Sequence, residues 1–278
     1  MIAHSVNPHT GKELMTMALV YPRFIHAEAR THRIISMKDS SVEVHEDISF
    51  MDDPALSRNA MSSRAVPVQK MIDQVRNDPA MPIHWGSNKP GMQAGEELMG
   101  DDLIYAKRKW HDAARHAADI AEGMMKLGLH KQVVNRVLEP YQWMHTIVSA
   151  TEWPNFFDLR LSPMAEPNMR QLAQCMKMCI DLSKPVETEY HIPYVTDAER
   201  ESYAIADLMM ISAARCARVS YLTHDGATPD VAKDLILADT LFTSKHASPF
   251  EHQAEAMGDD SWSRNFCGWE QHREIADL

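Results

Sequence analysis

The chain has 278 residues, of which 45% are hydrophobic and 24% are charged, so it can bury a substantial core and has an ordinary globular composition. Its formal net charge of -11 argues against a duplex-binding surface, because neutralisation of phosphates drives such binding. No apolar run approaches the ~20 residues that a membrane span needs, and the first ten residues lack the regions of a signal peptide. We therefore expect a cytoplasmic protein with neither a nucleic-acid nor a membrane partner.

The first part of the chain predicts a β-hairpin followed, later, by a short helix. Residues 1–22 have extended character, and a turn is expected at Asn7-Pro8 and Gly11. Pro67 is suited to open a helix, because proline is tolerated in a first helical turn. The apolar residues that follow share one helical face: Val68, Met71, Ile72 and Val75.

The strongest local signal is a long helix over residues 101–127. Asp101 or Asp102 is expected to cap its start, and Gly128 to end it. Its predicted apolar stripe consists of Trp110, Ala114, Ala117, Ala121, Met124 and Leu127.

The second half of the chain is predicted to be mainly helical. A helical pattern spans 130–150 with a break near Pro140, and another helix begins at Pro167 and stops before Pro185. Thr196 and Glu199 have the spacing of a capping box ahead of a helix running toward Ser220. A last helix is expected to open at Thr228-Pro229.

These elements indicate an α+β fold. Extended segments lie near the termini and around residues 186–195, and we expect them to meet in one sheet. No proline-rich or glycine-rich linker divides the chain, which favours a single domain over residues 1–278.

The four cysteines form no metal-type CxxC pair and are too sparse for a disulfide framework. Cys175 and Cys179 are four residues apart on a predicted helix, and we expect both thiols to be buried.

One polar cluster combines Thr31-His32-Arg33 with residues 57–67, whose sequence is SRNAMSSRAVP. Arginine forks and hydroxyl groups suit a phosphate or a pyrophosphate, although composition alone favours a solvated polar loop.

A second cluster, within residues 130–160, places polar side chains among aromatic ones: Asn135, Arg136, Asn155 and Arg160. A ligand site and ordinary core hydrogen bonding explain it equally well.

The third cluster, KHASPFEH at 245–252, contains His246, Glu251 and His252. Its spacing is not the H-E-x-x-H arrangement, so hydrogen bonding is favoured over a metal and we expect no metal ligand set. The chain also has neither a GxGxxG turn nor a Walker loop.

Taken together, these blocks resemble the flavin-dependent thymidylate synthases (the ThyX family), whose signature has the form RHRxxSxNExSxR. The corresponding residues here are split between Thr31-His32-Arg33 and Ser57 to Arg64. The helix-end block ARVS is found at 217–220, SPFEH at 248–252 and an NFxxLR element at 155–160.

The order of the blocks resembles a circularly permuted branch of that family, found in phages and some bacteria. ARVS and SPFEH follow the signature here, whereas they precede it in the common form. The tail GWEQHR at 268–273 faintly echoes the region around RHR, and we interpret it as a trace of the join.

Three departures from the family pattern affect the expected site. Thr31 replaces the first signature arginine, and Ala60 replaces the signature glutamate. Ser36 and Ser57 both align with the first signature serine, which implies an inserted surface loop at residues 36–56.

The resemblance implies a central, twisted, mainly antiparallel sheet flanked by helices. It also implies a homotetramer with shared active sites that methylates dUMP to dTMP, using FAD, NADPH and 5,10-methylenetetrahydrofolate. A phage-encoded protein of this kind would act in the host cytoplasm.

The resemblance also implies residue roles. The flavin-binding positions are His32, Arg33, Asn59, Asn155, Ser220, His246, Ser248 and Glu251. The dUMP-binding positions are Ser62, Arg64, Arg136, Arg160 and Glu28, of which Ser62 and Arg160 are the catalytic candidates. Arg160 would stabilise negative charge on the uracil carbonyls.

Two alternatives remain open at this stage. One keeps the fold and changes the chemistry, to hydroxymethylation of a pyrimidine nucleotide or to dCMP as substrate. The other is a non-catalytic subunit that binds flavin or a nucleotide.

Overall fold

The computed structural model describes residues 1–30, 57–221 and 230–278. The inserted loop expected at 36–56, the candidates His32 and Arg33, and the helix start expected at Thr228-Pro229 lie outside the described residues.

The described strands are β1 (Ala3–Val6), β2 (Glu13–Pro22), β3 (Ser57–Ala60), β4 (Trp143–Ala150), β5 (Val186–Glu187), β6 (Tyr190–His191), β7 (Ala254–Ala256), β8 (Trp262–Ser263), β9 (Phe266–Cys267) and β10 (Trp269–Gln271). The helices are α1 (His26–Arg30), α2 (Val68–Asn77), α3 (Gly100–Lys126), α4 (Lys131–Leu138), α5 (Pro154–Arg160), α6 (Pro167–Leu182), α7 (Asp197–Ser202), α8 (Ile205–Ala217), α9 (Val231–Thr243) and α10 (His272–Ile275). Short 3-10 turns occupy Arg23–Ile25, Glu139–Tyr141, Arg218–Tyr221 and Ser248–Glu251.

The largest sheet has five strands in the order β3-β4-β2-β1-β5. The strands β2 and β4 pair antiparallel over eight residues, from Met15↔Ala150 to Pro22↔Trp143. The hairpin of β1 and β2 is also antiparallel, and only the β1 and β5 pair among the described strands of this sheet is parallel. The predicted α+β class and the mainly antiparallel sheet are therefore confirmed.

The prediction that all extended segments meet in one sheet is wrong. The strands β10, β7 and β6 form a separate three-stranded sheet, and β8 pairs with β9. In this smaller sheet Ala254 pairs with both His191 and Gln271, so the two sides of β7 are already occupied by backbone partners. β7 is therefore the central strand of a sheet of its own.

The helix predicted over 130–150 is only half correct. α4 and a 3-10 turn end at Tyr141, and the rest is the central strand β4. Thr146, Ile147 and Val148 are β-branched, and pairing with β2 and β3 on either side outweighs any helical pattern in the sequence.

The long helix α3 agrees with its prediction in the middle and differs at its ends. Ala114, Ala117 and Ala121 are buried, whereas Leu127 is 86% exposed. The capping residue is Met99, and the two predicted caps, at 101 and 102, lie inside the first turn, where their charges favour the helix dipole. Gly128 has φ +77°, the conformation that commonly ends a helix.

Two further sequence expectations need correction. The helix that begins with the capping box of Thr196 and Glu199 ends at Ser202, and a separate helix, α8, starts at Ile205. The thiols of Cys175 and Cys179 are exposed, because α6 turns a different set of residues toward the core: Met169, Leu172, Ala173 and Met176.

The five-stranded sheet separates two packing regions because side chains of a strand alternate between its faces. Met15, Met17, Met144 and Val148 share one core with residues of α2 to α6. On the opposite face, Ile147 packs with Cys216 and Val219. No helix of the described ranges combines the length and the apolar character that crossing a membrane requires.

A buried ion cluster connects α7, α8 and α9. Arg215, with a side chain that is 3% exposed, donates from Nε to Asp234 at 2.8 Å and also pairs with Glu199. Asp234 is fully buried and accepts a second hydrogen bond from Arg218. Hydrogen bonding to Arg215 lowers the pKa of Glu199 to about 2. The cluster keeps the 218–221 turn tied to α9.

We expect Asp234→Ala to lower the free energy of unfolding by about 3 kcal/mol or more, because it removes one of the two carboxylates paired with the buried Arg215 and the carboxylate that holds Arg218. Urea denaturation followed by circular dichroism measures this change. Asp112→Ala is the matched control, because its exposed ion pairs with Lys109 and Arg115 should contribute less than about 1 kcal/mol. Equal effects of the two substitutions would contradict the role given to the cluster.

Candidate active site

Three chain segments meet at one end of the five-stranded sheet. The register pairs Pro22 with Trp143 and Ala60 with Thr146, so β2 and β3 end at the edge where β4 begins. Arg23 follows β2 directly, residues 61–66 follow β3, and the Glu139–Tyr141 turn precedes β4. The antiparallel register therefore gathers polar side chains that are far apart in sequence.

The loop of residues 61–66 has a defined backbone. The Ser62 amide donates to the Ser220 carbonyl at 3.1 Å, and the Ser62 carbonyl accepts from the amides of Ala65 and Val66. The Ser62 hydroxyl accepts from the Arg64 amide at 3.3 Å. The Arg64 side chain is exposed and forms no ion pair with any part of the chain that the structure describes.

The helix α4 holds this loop from the core side. Asn135 is fully buried, and its amide nitrogen donates to the carbonyls of Ser63 at 2.9 Å and Val66 at 3.0 Å. Lys131 donates from Nζ to the Ala65 carbonyl at 2.7 Å. For Asn135, the structure thus supports the core hydrogen-bonding interpretation of the second polar cluster.

A carboxylate that the sequence reasoning missed lies at the centre of this end of the sheet. One oxygen of Glu139, Oε1, accepts from Arg23 Nη2 at 2.8 Å, Arg136 Nη1 at 3.0 Å and Ser63 Oγ at 2.9 Å. The spacing of Arg136 and Glu139, three residues apart, was the available sequence signal.

The two arginines bound to Glu139 differ in exposure. The Arg23 side chain is 15% exposed, and that of Arg136 is 60% exposed. Burial lowers the pKa of Arg23, the Glu139 carboxylate opposes that change, and the positive charge of Arg136 adds to it. Arg23 therefore depends on Glu139 as its counter-ion, whereas most of the Arg136 side chain faces solvent.

On the other face of β3, the structure brings together two of the expected flavin positions, Asn59 and Ser220. The Ser220 hydroxyl donates to the Ala60 carbonyl at 3.2 Å and lies 3.5 Å from Asn59 Oδ1. The Asn59 amide nitrogen donates to the Cys216 carbonyl at 3.1 Å. The ARVS block thus contacts the signature block directly.

The SPFEH block lies at the Ser57 end of β3. This end is roughly 10 Å along the strand from the Ala60 end, which the 61–66 loop follows. Gln271 donates from Nε2 to the Ser57 hydroxyl at 3.0 Å and to the Glu251 carbonyl at 3.1 Å. The Glu251 carboxylate pairs with Arg273, Ser248 is half-buried, and His246 is exposed. Gln271 and Arg273 belong to the GWEQHR tail, which therefore has a structural role that the sequence reasoning did not give it.

Arg160 and Glu28 also lie together. Arg160 Nη2 donates to the Glu28 carbonyl at 2.7 Å, six residues after β2 ends. Desolvation and the nearby Glu166 carboxylate raise the pKa of Glu28, while Arg160 opposes the shift. Asn155 is exposed in the first turn of α5. The hydrogen bond between Arg160 and Glu28 is to the backbone carbonyl of Glu28 and leaves the Glu28 carboxylate out. The roles expected for Arg160, Glu28 and Asn155 stay predictions.

The described residues fit a phosphate group better than they fit a flavin. Arg64 and Arg136 have exposed side chains, and the loop that contains Arg64 also contains the Ser62 hydroxyl; guanidinium and hydroxyl groups are the donors that a phosphate requires. At the expected flavin positions, Asn59 and Glu251 already use their polar groups within the chain. The described residues therefore do not complete a flavin site by themselves.

A chain of buried polar groups crosses the sheet beside the SPFEH block. His191 is hydrogen-bonded to the hydroxyls of Ser5 and Thr16, each at 2.8 Å, and Thr16 lies 2.6 Å from the Ser149 hydroxyl. His252 Nδ1 completes the chain at 2.8 Å from Ser149. Hydrogen bonding thus accounts for Nδ1 of His252, and within the described ranges no three metal-type side chains cluster.

Burial keeps three histidines of this region neutral. Desolvation lowers the pKa of His191 and His252 to about 3 and that of His272 to about 4, and in His191 repulsion from His252 adds to the effect.

The comparisons with known proteins gave matches among solved structures only. No protein-family model matches the chain, and no curated protein matches it. Among solved structures it is similar to a UMP/dUMP methylase, PolB from Streptomyces cacaoi bound with 5-Br dUMP, at 16% identity and a TM-score of 0.43. The match covers 62% of this chain and 67% of that one. A TM-score this low does not assign a shared fold.

We expect the free energy of unfolding to fall as the pH drops below the ordinary histidine pKa of 6.5. Below that value the unfolded chain binds protons that the folded protein excludes, so the stability present above it is lost progressively toward the folded pKa values. Three such histidines give a slope of about 4 kcal/mol per pH unit below about pH 6. Urea denaturation at a series of pH values measures the slope.

The same series on a His191→Gln variant separates this cause from others. The glutamine keeps a polar group but does not titrate, so about a third of the slope should disappear. A free energy of unfolding that stays constant between about pH 7 and pH 5 would contradict the assignment.

Proposed function

We propose that this chain is an enzyme that modifies a pyrimidine nucleotide, and specifically a flavin-dependent thymidylate synthase acting on dUMP. The observation that carries the proposal is the arrangement at the end of β3. A serine-rich loop, an exposed arginine that forms no ion pair with the described residues and a second, largely exposed arginine occur together there.

The charge at this end of the sheet suits a phosphate monoester. Four cations lie there: Lys131, Arg23, Arg64 and Arg136. Among the described residues, the carboxylate that pairs with two of them, Arg23 and Arg136, is that of Glu139. The chain as a whole is acidic, so the concentration of positive charge is local. Local positive charge of this kind attracts a small anion without favouring duplex nucleic acid.

In this proposal Arg64 and Arg136 bind the nucleotide phosphate, and the Ser62 hydroxyl adds a donor beside them. Each guanidinium presents several N–H groups in a plane, which permits two parallel hydrogen bonds to one phosphate. These contacts fix the nucleotide, so that its uracil ring occupies one position relative to the groups that act on it.

Arg160 is the proposed catalytic residue. A fixed cation next to the uracil carbonyls stabilises the negative charge that develops when C5 becomes nucleophilic. Its hydrogen bond to the Glu28 carbonyl, close to where β2 ends, supports a location near the phosphate-binding loop.

The proposed cofactors are inferred from the family resemblance alone. FAD would supply the reducing hydride, NADPH would recharge it, and 5,10-methylenetetrahydrofolate would donate the carbon. Of the flavin-binding candidates, Asn59 and Ser220 are in contact, and Ser248 and Glu251 lie in the turn next to the other end of β3. A homotetramer with shared active sites is part of the same proposal.

We expect the purified protein, given dUMP, methylenetetrahydrofolate and NADPH, to form dTMP and tetrahydrofolate, which mass spectrometry identifies. Parallel reactions with dCMP and without folate test the choice of substrate. A hydroxymethylated product or a product from dCMP would support the first alternative. Bound flavin that NADPH never reduces would support the non-catalytic subunit.

Arg64→Ala tests the phosphate site in the same assay. We expect the KM for dUMP to rise tenfold or more, because a charge-assisted hydrogen bond is lost. Arg108→Ala, which removes an exposed arginine on α3, is the matched control and should leave the KM unchanged. An unchanged KM in both variants would exclude Arg64 from the site.

Arg160→Ala should lower kcat by about 10²- to 10³-fold, because electrostatic stabilisation in the transition state is removed. Flavin absorbance should show a much smaller loss of bound cofactor than of turnover. Turnover at the rate of the parent protein would contradict the role of Arg160.

A further inference from the structure

The carboxylate of Glu139 is the one acidic group among the polar residues described around the 61–66 loop, and no role in the proposed function has been given to it. The negative charge of an acidic group beside a phosphate site repels the ligand. Its presence there therefore indicates that it has another role. Its three hydrogen-bond donors indicate what that role is.

We infer that Glu139 is a positioning residue: its carboxylate holds Arg136 and the 61–66 loop in the positions from which they bind the nucleotide phosphate. The inference rests on the proposed function, because it concerns the binding of the same ligand. Three observations carry it: the geometry at Oε1, the difference in exposure of the two arginines, and the attachment of the loop to α4.

The geometry connects three segments through one oxygen atom. Arg23 comes from the end of β2, Ser63 from the loop after β3, and Arg136 from α4. All three donate to Glu139 Oε1 at 2.8 to 3.0 Å. A change at this atom is therefore transmitted to each element that forms the site.

The two guanidinium groups repel each other, as the lowering of the pKa of Arg23 by Arg136 indicates. Arg23 is held by the protein around it, whereas the Arg136 side chain is 60% exposed and has solvent available. Without the carboxylate, we expect Arg136 to turn away. With it, one N–H of Arg136 is used and the other donors remain for a phosphate.

The loop is fixed by the same carboxylate. Ser63 donates its hydroxyl to Glu139, while its carbonyl accepts from Asn135. Ser62 and Arg64, the two residues proposed to contact the phosphate, flank Ser63 on either side. Glu139 therefore acts on the ligand through both Arg136 and the loop without touching it.

The test compares dUMP with deoxyuridine, which lacks the phosphate, in calorimetric titrations of the full chain. The variant Glu139→Gln keeps the size and one acceptor oxygen but removes the charge. We expect it to weaken dUMP binding about tenfold, the effect of losing a charge-assisted contact, and to leave deoxyuridine binding unchanged. Glu139→Asp keeps the charge and should recover part of the loss.

Glu122→Gln is the matched control. The Glu122 side chain is 30% exposed, close to the 26% of Glu139, and it too accepts from two cations, Arg76 and Lys126. It lies on α3, so the same loss of charge there should not affect either ligand.

Each outcome bears on one of the two claims. If the role of Glu139 is purely structural, Glu139→Gln should weaken the binding of dUMP and of deoxyuridine equally. If Glu139 simply repels the phosphate, Glu139→Gln should bind dUMP more tightly. Either result, or no change at all, would overturn the inference. Parent protein that binds dUMP no better than deoxyuridine would instead overturn the proposed phosphate site.

Discussion

The antiparallel pairing of β3 with β4 is the constraint on which the site depends. Four residue pairs, from Ser57↔Ser149 to Ala60↔Thr146, fix both the face and the end of the sheet at which each side chain of β3 lies. A slip of one residue would exchange Asn59 with its neighbours and move it to the helical core. Because β4 also pairs with β2, the same register determines where Arg23 emerges.

This arrangement gives the two ends of β3 different chemistry. At one end, the loop of residues 61–66 has hydroxyl groups, backbone amides and exposed guanidinium groups, with one carboxylate among them. At the other end, Ser57 and Glu251 are joined through Gln271, and polar groups satisfy one another within the chain. The first end therefore has donors that face solvent, and the second is stabilised by internal contacts.

The sequence predicted much of this, where a local rule applies. The hairpin, the helix after Pro67, the capping box at Thr196 and the left-handed Gly128 follow from short-range chemistry, and the structure confirms them. The resemblance named Asn59 and Ser220 as flavin positions; the structure brings these two side chains together, and their role stays a prediction.

The errors arose where partners distant in sequence decide the outcome. β4 was predicted as helix, because its strand character depends on pairing with β2 and β3. Glu139 was missed as a site residue, because only the fold brings Arg23, over a hundred residues away, to its carboxylate. Likewise, Gln271 and Arg273 gain their contacts from the packing of the C-terminal tail against β3 and its neighbouring turn.

A crystal structure of the protein with dUMP tests the central claim most directly. The account predicts that the phosphate lies within hydrogen-bonding distance of the Ser62 hydroxyl and of the guanidinium groups of Arg64 and Arg136, which Glu139 holds in place. A nucleotide bound elsewhere, with these side chains in contact only with solvent, would contradict it.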